Sequence, residues 1–386
     1  MHNILTLNKI AAVGTDNFNK AYYNVGDAVS SPDAIMVRSA NMLDYSFNPE
    51  LVAIARAGAG VNNIPIDRCS EAGICVFNTP GANSNAVKEL VIAGLLLSSR
   101  KIAAGIEWAK TLKGEGEAVP KLVEKGKSQF VGPEIMGKTI GIVGLGAIGI
   151  KVANTALSLG MKVIGYDPFL SVNAALGLKP GVEVAKSVQD VYAEDDYLTL
   201  HLPYNKDTAN TVCRESLAKM KDGVRILNFA RGELVNTETL LKAIASGKVA
   251  AYVTDFVSDE LIGVDGVICI PHLGASTPES EDNCAYMAAV ELRDYIENGR
   301  IHNSVNLPDC ELPKTADHLV CVIHKNIPAM VSSVTGIISE AGGNIESIAS
   351  KSKKDWAYTM LDVTGDVQNA CAKIAAIDGV ARVRVL

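Results

Sequence analysis

A chain of 386 residues has room for roughly two to three domains, and its 48% hydrophobic content is ample for buried parallel sheets, although no apolar run reaches the ~18 residues of a membrane span. With 43 acidic against 36 basic side chains, the formal charge of −7 argues against non-specific nucleic-acid binding. The eight cysteines form no C-x-x-C pair and most sit in apolar surroundings; with no basic-then-apolar leader, they read not as a zinc or disulfide framework but as reduced core thiols of a soluble cytoplasmic protein that binds no metal.

In residues 1–95, short apolar runs ending in Gly, Pro or Asn (Ala34–Ser39, Leu51–Ala57, Ile74–Asn78) alternate with helix-like stretches and predict one open α/β sheet. From Ser84 to Gly105, Ala86, Leu90, Ala93, Leu97 and Lys101 recur at helical spacing. A mixed segment, 106–138, follows. Within it Gly132–Thr139 matches the P-loop pattern G-x-x-x-x-G-K-[ST]. A P-loop follows a strand and opens a helix, whereas Lys138-Thr139 leads into a strand, so nucleotide-triphosphate binding is set aside.

The next stretch carries the most information. A β-branched strand runs into Gly144-x-Gly146-x-x-Gly149, and a helical pattern follows at once. The first glycine allows a tight turn, the second lets pyrophosphate approach the backbone, and the third lets helix and strand pack closely. The helix start then offers unpaired N–H groups to the phosphates. Met161–Asp167 supplies a second strand ending in a carboxylate that can accept from both ribose hydroxyls and would repel a 2′-phosphate, so the expected cofactor is NAD.

Between 139 and 272, six short strands (TIGIVG, KVIGYD, DDYLTLH, VRILNFA, AAYVTDF, VICIP) match a doubly wound nucleotide-binding sheet. Ser276-Thr277-Pro278-Glu279 opens a helix that runs to about Asn298 and closes at Gly299. That helix is expected to cross back to the first sheet. The domains are then 1–95 with 285–304, a nucleotide domain over 96–284, a proline-bearing linker over 305–317, and a C-terminal domain over 318–386 with the strand–helix–strand–strand–helix–strand order of a ferredoxin-like α+β fold.

An enzyme oxidising an alcohol with NAD needs a base for the hydroxyl proton, a group that orients that base, and a cation for the substrate carboxylate. Ligands of open α/β sheets bind at the carboxyl ends of the strands. Arg231 stands there after VRILNFA, Asp255, Asp259 and Glu260 after AAYVTDF, and His272 after VICIP. Histidine titrates near neutrality, a nearby carboxylate orients it, and arginine offers a planar fork to a carboxylate.

GLGAIG at 144–149, DDYLTLHLPYNKDT at 195–208, MKDGVRILNFARGELVN at 220–236 and PHLGAST at 271–277 resemble the D-isomer-specific 2-hydroxyacid dehydrogenases over nearly the whole chain. Val37-Arg38-Ser39, NTPGANSNAVKEL at 78–90 and the small C-terminal domain, which resembles an ACT domain, are similar to the family's phosphoglycerate-oxidising branch. The resemblance implies NAD-dependent oxidation of 3-phospho-D-glycerate at the entry to serine synthesis, in a homodimer or homotetramer. It implies Arg231, Glu260 and His272 as the catalytic set. Cofactor contacts are implied at Gly144, Gly146, Ala147, Ile148, Gly149, Asp167, Phe229, Ala230, Arg231, Asp255, His272, Leu273, Gly274 and Ala275, and substrate contacts at Arg38, Ser39 and Gly60. The family's Glu-Pro pair is Glu260-Leu261 here; ungapped spacing from Asp255 selects Glu260, and a one-residue loop shift selects Asp259. In the C-terminal domain His324, Asn326 and Asn344 match an L-serine effector site, with Ala329 standing where the family has glycine. The alternatives are another 2-hydroxyacid dehydrogenase, or a dinucleotide-sensing protein without turnover.

Overall fold

The computed structural model describes residues 1–386, which divide into two compact units: 1–83 with 278–386, and 84–277. No helix is long and apolar enough to cross a membrane.

In the first unit, β1 (His2–Leu7), β2 (Tyr23–Gly26), β3 (Ala34–Val37), β4 (Ala53–Arg56) and β5 (Cys75–Phe77) form a parallel sheet in the order β2-β1-β3-β4-β5. Strands β1 and β2 add to the three strands expected from the sequence, since HNILTL and YNVG mix polar residues into short runs and present no continuous apolar signal. The Pro278–Asn298 helix does cross back to this sheet. Its Cys284, Ala288, Leu292 and Tyr295 share one core with Ala53, Ala55 and Phe77, and Gly299 closes it at φ 66°.

The second unit holds β6 (Thr139–Val143), β7 (Lys162–Tyr166), β8 (Val182–Val184), β9 (Tyr197–Leu200), β10 (Val224–Asn228), β11 (Val249–Thr254) and β12 (Val267–Cys269), all parallel, in the order β12-β11-β10-β9-β6-β7-β8. This is a doubly wound sheet whose order reverses between β6 and β9, where such sheets bind ligands. The edge strand β8 adds a seventh to the six expected strands; with three residues, largely exposed, it carries little apolar signal. The long helix expected from Ser84 breaks at Lys101, whose φ of 45° separates Ser84–Arg100 from Ile102–Lys110.

The unit boundaries differ from the expected 95/96 and 284/285. They fall at 83/84 and 277/278. Ser84–Arg100 goes entirely with the second unit because Val87, Val91 and Leu95 are buried among Ile140, Ile142, Val152 and Val253. The 305–317 segment is a linker only in its later part. Asn306 is buried, accepts from the Val76 N–H at 2.9 Å and donates to Ile74 O at 2.9 Å, and Leu307 and Cys310 are buried too.

The C-terminal strands β13 (His318–Lys325), β14 (Asn344–Lys353), β15 (Trp356–Thr364) and β16 (Val380–Val385) are antiparallel in the order β14-β15-β13-β16, with helices Met330–Glu340 and Gln368–Ala375, which is the expected ferredoxin-like arrangement. Strand alternation splits its side chains between two cores. Val320, Val322, Leu361 and Val363 pack with the two helices, while Leu319, Cys321, Ile323, Tyr358 and Met360 join the core of the Pro278–Asn298 helix.

Candidate active site

The turn after β6 separates three glycine roles. Gly144 has φ +100°, and a Cβ there would lie 2.4 Å from the His201 carbonyl oxygen. A Cβ on Gly149 would lie 2.0 Å from the Gly144 carbonyl oxygen, so strand and helix touch through bare backbone. At Gly146 a Cβ would meet nothing within 4 Å, so this face of the turn is open. Gly146 also starts the Ala147–Ser158 helix, whose first turn no side chain caps, leaving its N–H groups for an anion. Asp167 follows β7; its Oδ2 accepts from the Leu145 N–H at 2.9 Å and its Oδ1 from the Phe169 N–H at 2.8 Å, which fixes the carboxylate beside the turn. Ala147 is exposed and Ile148 half-buried.

Three successive strands deliver the candidate chemistry. At the end of β10, the buried Asn228 accepts from the Ala230 N–H at 3.2 Å and donates to the Arg231 carbonyl at 2.8 Å, so an internal amide shapes the turn that presents Arg231. Arg231 is exposed and donates through Nη1 to Ala230 O at 2.6 Å. Beyond β11, Asp255 is 3% exposed. Burial raises its carboxyl above the usual range, while the charges of His272 and Arg231 and the Gly274 N–H that it accepts pull it back. Its Oδ1 is buried with no protein partner. Beyond β12, the His272 ring packs edge-on against Phe256 with centroids 4.9 Å apart. Gly274 is buried, Leu273 exposed and Ala275 half-buried. Open glycine, uncapped helix start, anchored Asp167 and unpartnered Asp255 oxygen together suit NAD.

Two expectations meet a different geometry. Glu260 and Asp259 are both exposed in the turn after β11, and neither forms an ion pair with His272; Leu261 buries and leaves the two acids facing solvent. Asp255 makes no ion pair with His272 either; the charge of His272 only helps to pull its carboxyl back. The Phe229 ring is a core group: a Cβ on Gly94 would lie 2.8 Å from its Cζ, so only the backbone of Phe229 is left to face a cofactor.

In the first unit, Arg38 follows β3 and pairs through Nη2 with Glu281 Oε1 at 2.7 Å. The N–H groups of Ser39 and Ala40 donate to Asn8 Oδ1 at 2.9 and 2.7 Å. Gly60 lies half-buried in the loop after β4. In the C-terminal domain the effector trio is not gathered. His324 is 3% exposed and spends both ring nitrogens internally, on Lys325 O at 2.8 Å and Thr359 Oγ1 at 2.9 Å. Its place inside β13, paired with Ala357 of β15, takes it away from solvent. Asn326 donates to Lys354 O and Asn344 to Glu346.

Sequence reasoning missed Asn228, Glu281 and His201. The half-buried His201 follows β9, its imidazole bonded to Thr199 Oγ1 at 3.1 Å, and burial of the ring pushes its pKa down to about 4, so it is neutral near pH 7. The strand-end rule that selected His272 applies to His201 as well.

Residues 92–274 match the family model for the D-isomer specific 2-hydroxyacid dehydrogenase, NAD binding domain. The chain is 35% identical to a D-3-phosphoglycerate dehydrogenase of Synechocystis over 73% of its own length and 50% of the relative's. It is 38% identical to a hydroxypyruvate reductase of Thermotoga maritima over 64% of its own length and 80% of the relative's. Among solved structures, the NAD+-bound 3-phosphoglycerate dehydrogenase of Entamoeba histolytica is similar with a TM-score of 0.61 at 26% identity, over 81% of this chain and 99% of that one. The chain spans about half the length of the curated phosphoglycerate dehydrogenases that it matches.

Proposed function

Because the chain belongs to the D-isomer-specific 2-hydroxyacid dehydrogenase family and carries that family's NAD-binding domain, we propose that it oxidises 3-phospho-D-glycerate to 3-phosphohydroxypyruvate. The observation that carries the chemistry is the delivery of Arg231, Asp255 and His272 by the carboxyl ends of β10, β11 and β12. The phosphorylated substrate is supported by phosphoglycerate dehydrogenases among the relatives and by Arg38, a half-exposed guanidinium at the carboxyl end of β3.

In this reading Arg231 binds the substrate carboxylate through its planar fork. His272 takes the C2 hydroxyl proton as the C2–H bond breaks, and NAD, when bound, accepts the hydride. Asp255, whose carboxyl the charge of His272 pulls down, is one candidate to hold the imidazolium, and Glu260, exposed in the turn after β11, is the other. Arg38 receives the phosphate. The C-terminal domain is proposed as a regulatory module, with L-serine titrated against turnover as its test.

The Thermotoga relative favours a second reading, reduction of hydroxypyruvate. The two are separated by measuring kcat/KM for 3-phosphoglycerate with NAD and for hydroxypyruvate with NADH. The first reading expects a preference for the phosphorylated pair, and activity confined to unphosphorylated acids removes it. Replacement of His272 by Ala is expected to lower kcat by about 10²–10⁴ with NADH binding retained. Unchanged turnover would remove the proton-transfer role, and no turnover of any 2-hydroxy acid by the wild-type protein would leave only dinucleotide binding.

A further inference from the structure

At the carboxyl end of the first sheet two arginines stand side by side, and one of them, Arg38, pairs with a carboxylate. Val37 of β3 and Arg56 of β4 are in register, so Arg38 stands one residue beyond Arg56 at the same end of the sheet. Arg56 Nε donates to the Arg38 carbonyl at 3.1 Å, and its guanidinium lies where a Cβ on Gly58 would stand, 2.5 Å from Nη1. The acid is Glu281, in the first turn of the Pro278–Asn298 helix. Glu281 holds Arg38 through one oxygen and one nitrogen, and the two side chains are 42% and 41% exposed. A half-exposed, single-contact ion pair is weak. A phosphate dianion that engages the same guanidinium through two parallel N–H···O bonds outcompetes it, whereas an uncharged hydroxymethyl group does not.

We propose that Glu281 is an internal anion which a phosphorylated substrate displaces from Arg38, so that Glu281 sets how strongly this end of the sheet discriminates by substrate charge. The proposal rests on the assignment of Arg38 to the phosphate. Glu281 satisfies the guanidinium when the substrate is absent or unphosphorylated, and swings toward solvent when phosphate arrives. It acts through Arg38, without touching the reacting carbon.

The test uses the full chain and inorganic phosphate as the probe. Calorimetric titration of phosphate into the wild-type protein, E281Q and E281A should show binding tightened about three- to fivefold in both variants, and lost in R38Q. The KM for 3-phosphoglycerate should fall by the same factor in E281Q, while the KM for hydroxypyruvate stays within experimental error. Phosphate binding that is unchanged or weaker in E281Q and E281A overturns the proposal, because Glu281 would then be a buttress for Arg38 and not its competitor. So does phosphate binding that survives R38Q. A wild-type protein that ignores 3-phosphoglycerate removes the substrate reading above, and the phosphate titration still decides the role of Glu281.

Discussion

Arg384 lies over the ring of Tyr295, 4.5 Å from its centroid, and donates to the carbonyls of Tyr295 and Ile296 at 3.1 and 2.9 Å. Those carbonyls belong to the last turn of the Pro278–Asn298 helix, where helices leave acceptors unpaired and carry partial negative charge. On the same sheet, Tyr358 donates to Gly299 O at 2.7 Å, and Arg382 donates to Pro49 O and Ala72 O, both at 3.1 Å. The C-terminal domain therefore closes the end of a helix whose first turn holds Arg38 through Glu281. Replacement of Arg384 by Ala removes two hydrogen bonds and a cation–π contact and is expected to cost about 2–4 kcal/mol, read as a lower Tm with faster proteolysis in 305–317. A Tm within a degree of wild type would show that the apolar contacts alone hold the domain in place.

The glycine turn makes opposite predictions for two alanines. Gly146→Ala meets no neighbour in the protein and should leave Tm within about 2 °C of wild type, while weakening NAD binding at least about tenfold because the methyl occupies the open face of the turn. Gly149→Ala drives a methyl into the Gly144 carbonyl and should destabilise the whole second unit. Calorimetric unfolding with and without NAD separates the two, and equal losses of stability would contradict the assignment of the second glycine to ligand approach.

Asp195, fully buried beside Gly141, has two carboxyl oxygens without hydrogen-bond partners, and burial raises its pKa from 3.8 to about 8. The folded chain keeps a proton there that the unfolded chain releases near pH 4, so this group's contribution to stability is whole below pH 4 and falls as pH rises toward about 8. Asp195→Asn should raise Tm by an amount that grows between pH 5 and about 8 and then levels off. Thermal unfolding across that range checks the sign, and a gain independent of pH would point to packing instead of charge.

Ala329 sits at φ 68° immediately before the Met330–Glu340 helix, a left-handed conformation that costs an alanine its Cβ clash. Ala329→Gly should stabilise the chain by roughly 0.5–1 kcal/mol, the relieved strain being partly offset by the freer unfolded glycine. Denaturant unfolding measures it, with an unchanged midpoint as the contrary result.

What could be read from the chain itself was local. The glycine spacing, the acid at Asp167, the strand-end positions of Arg231, Asp255 and His272, the Thr277-Pro278 helix start with its Gly299 stop, and the alternation of the C-terminal strands each lie within a window of a few residues. There, backbone conformation and side-chain period follow directly from residue type. Tertiary structure decided what pairs across distance. It seated Ser84–Arg100 on the nucleotide sheet, put His324 inside its own sheet, turned Glu260 to solvent, and joined Arg38 to Glu281 and Arg384 to Tyr295. Those outcomes depend on which surfaces bury one another once the elements exist, and no window of sequence contains both partners of such a contact.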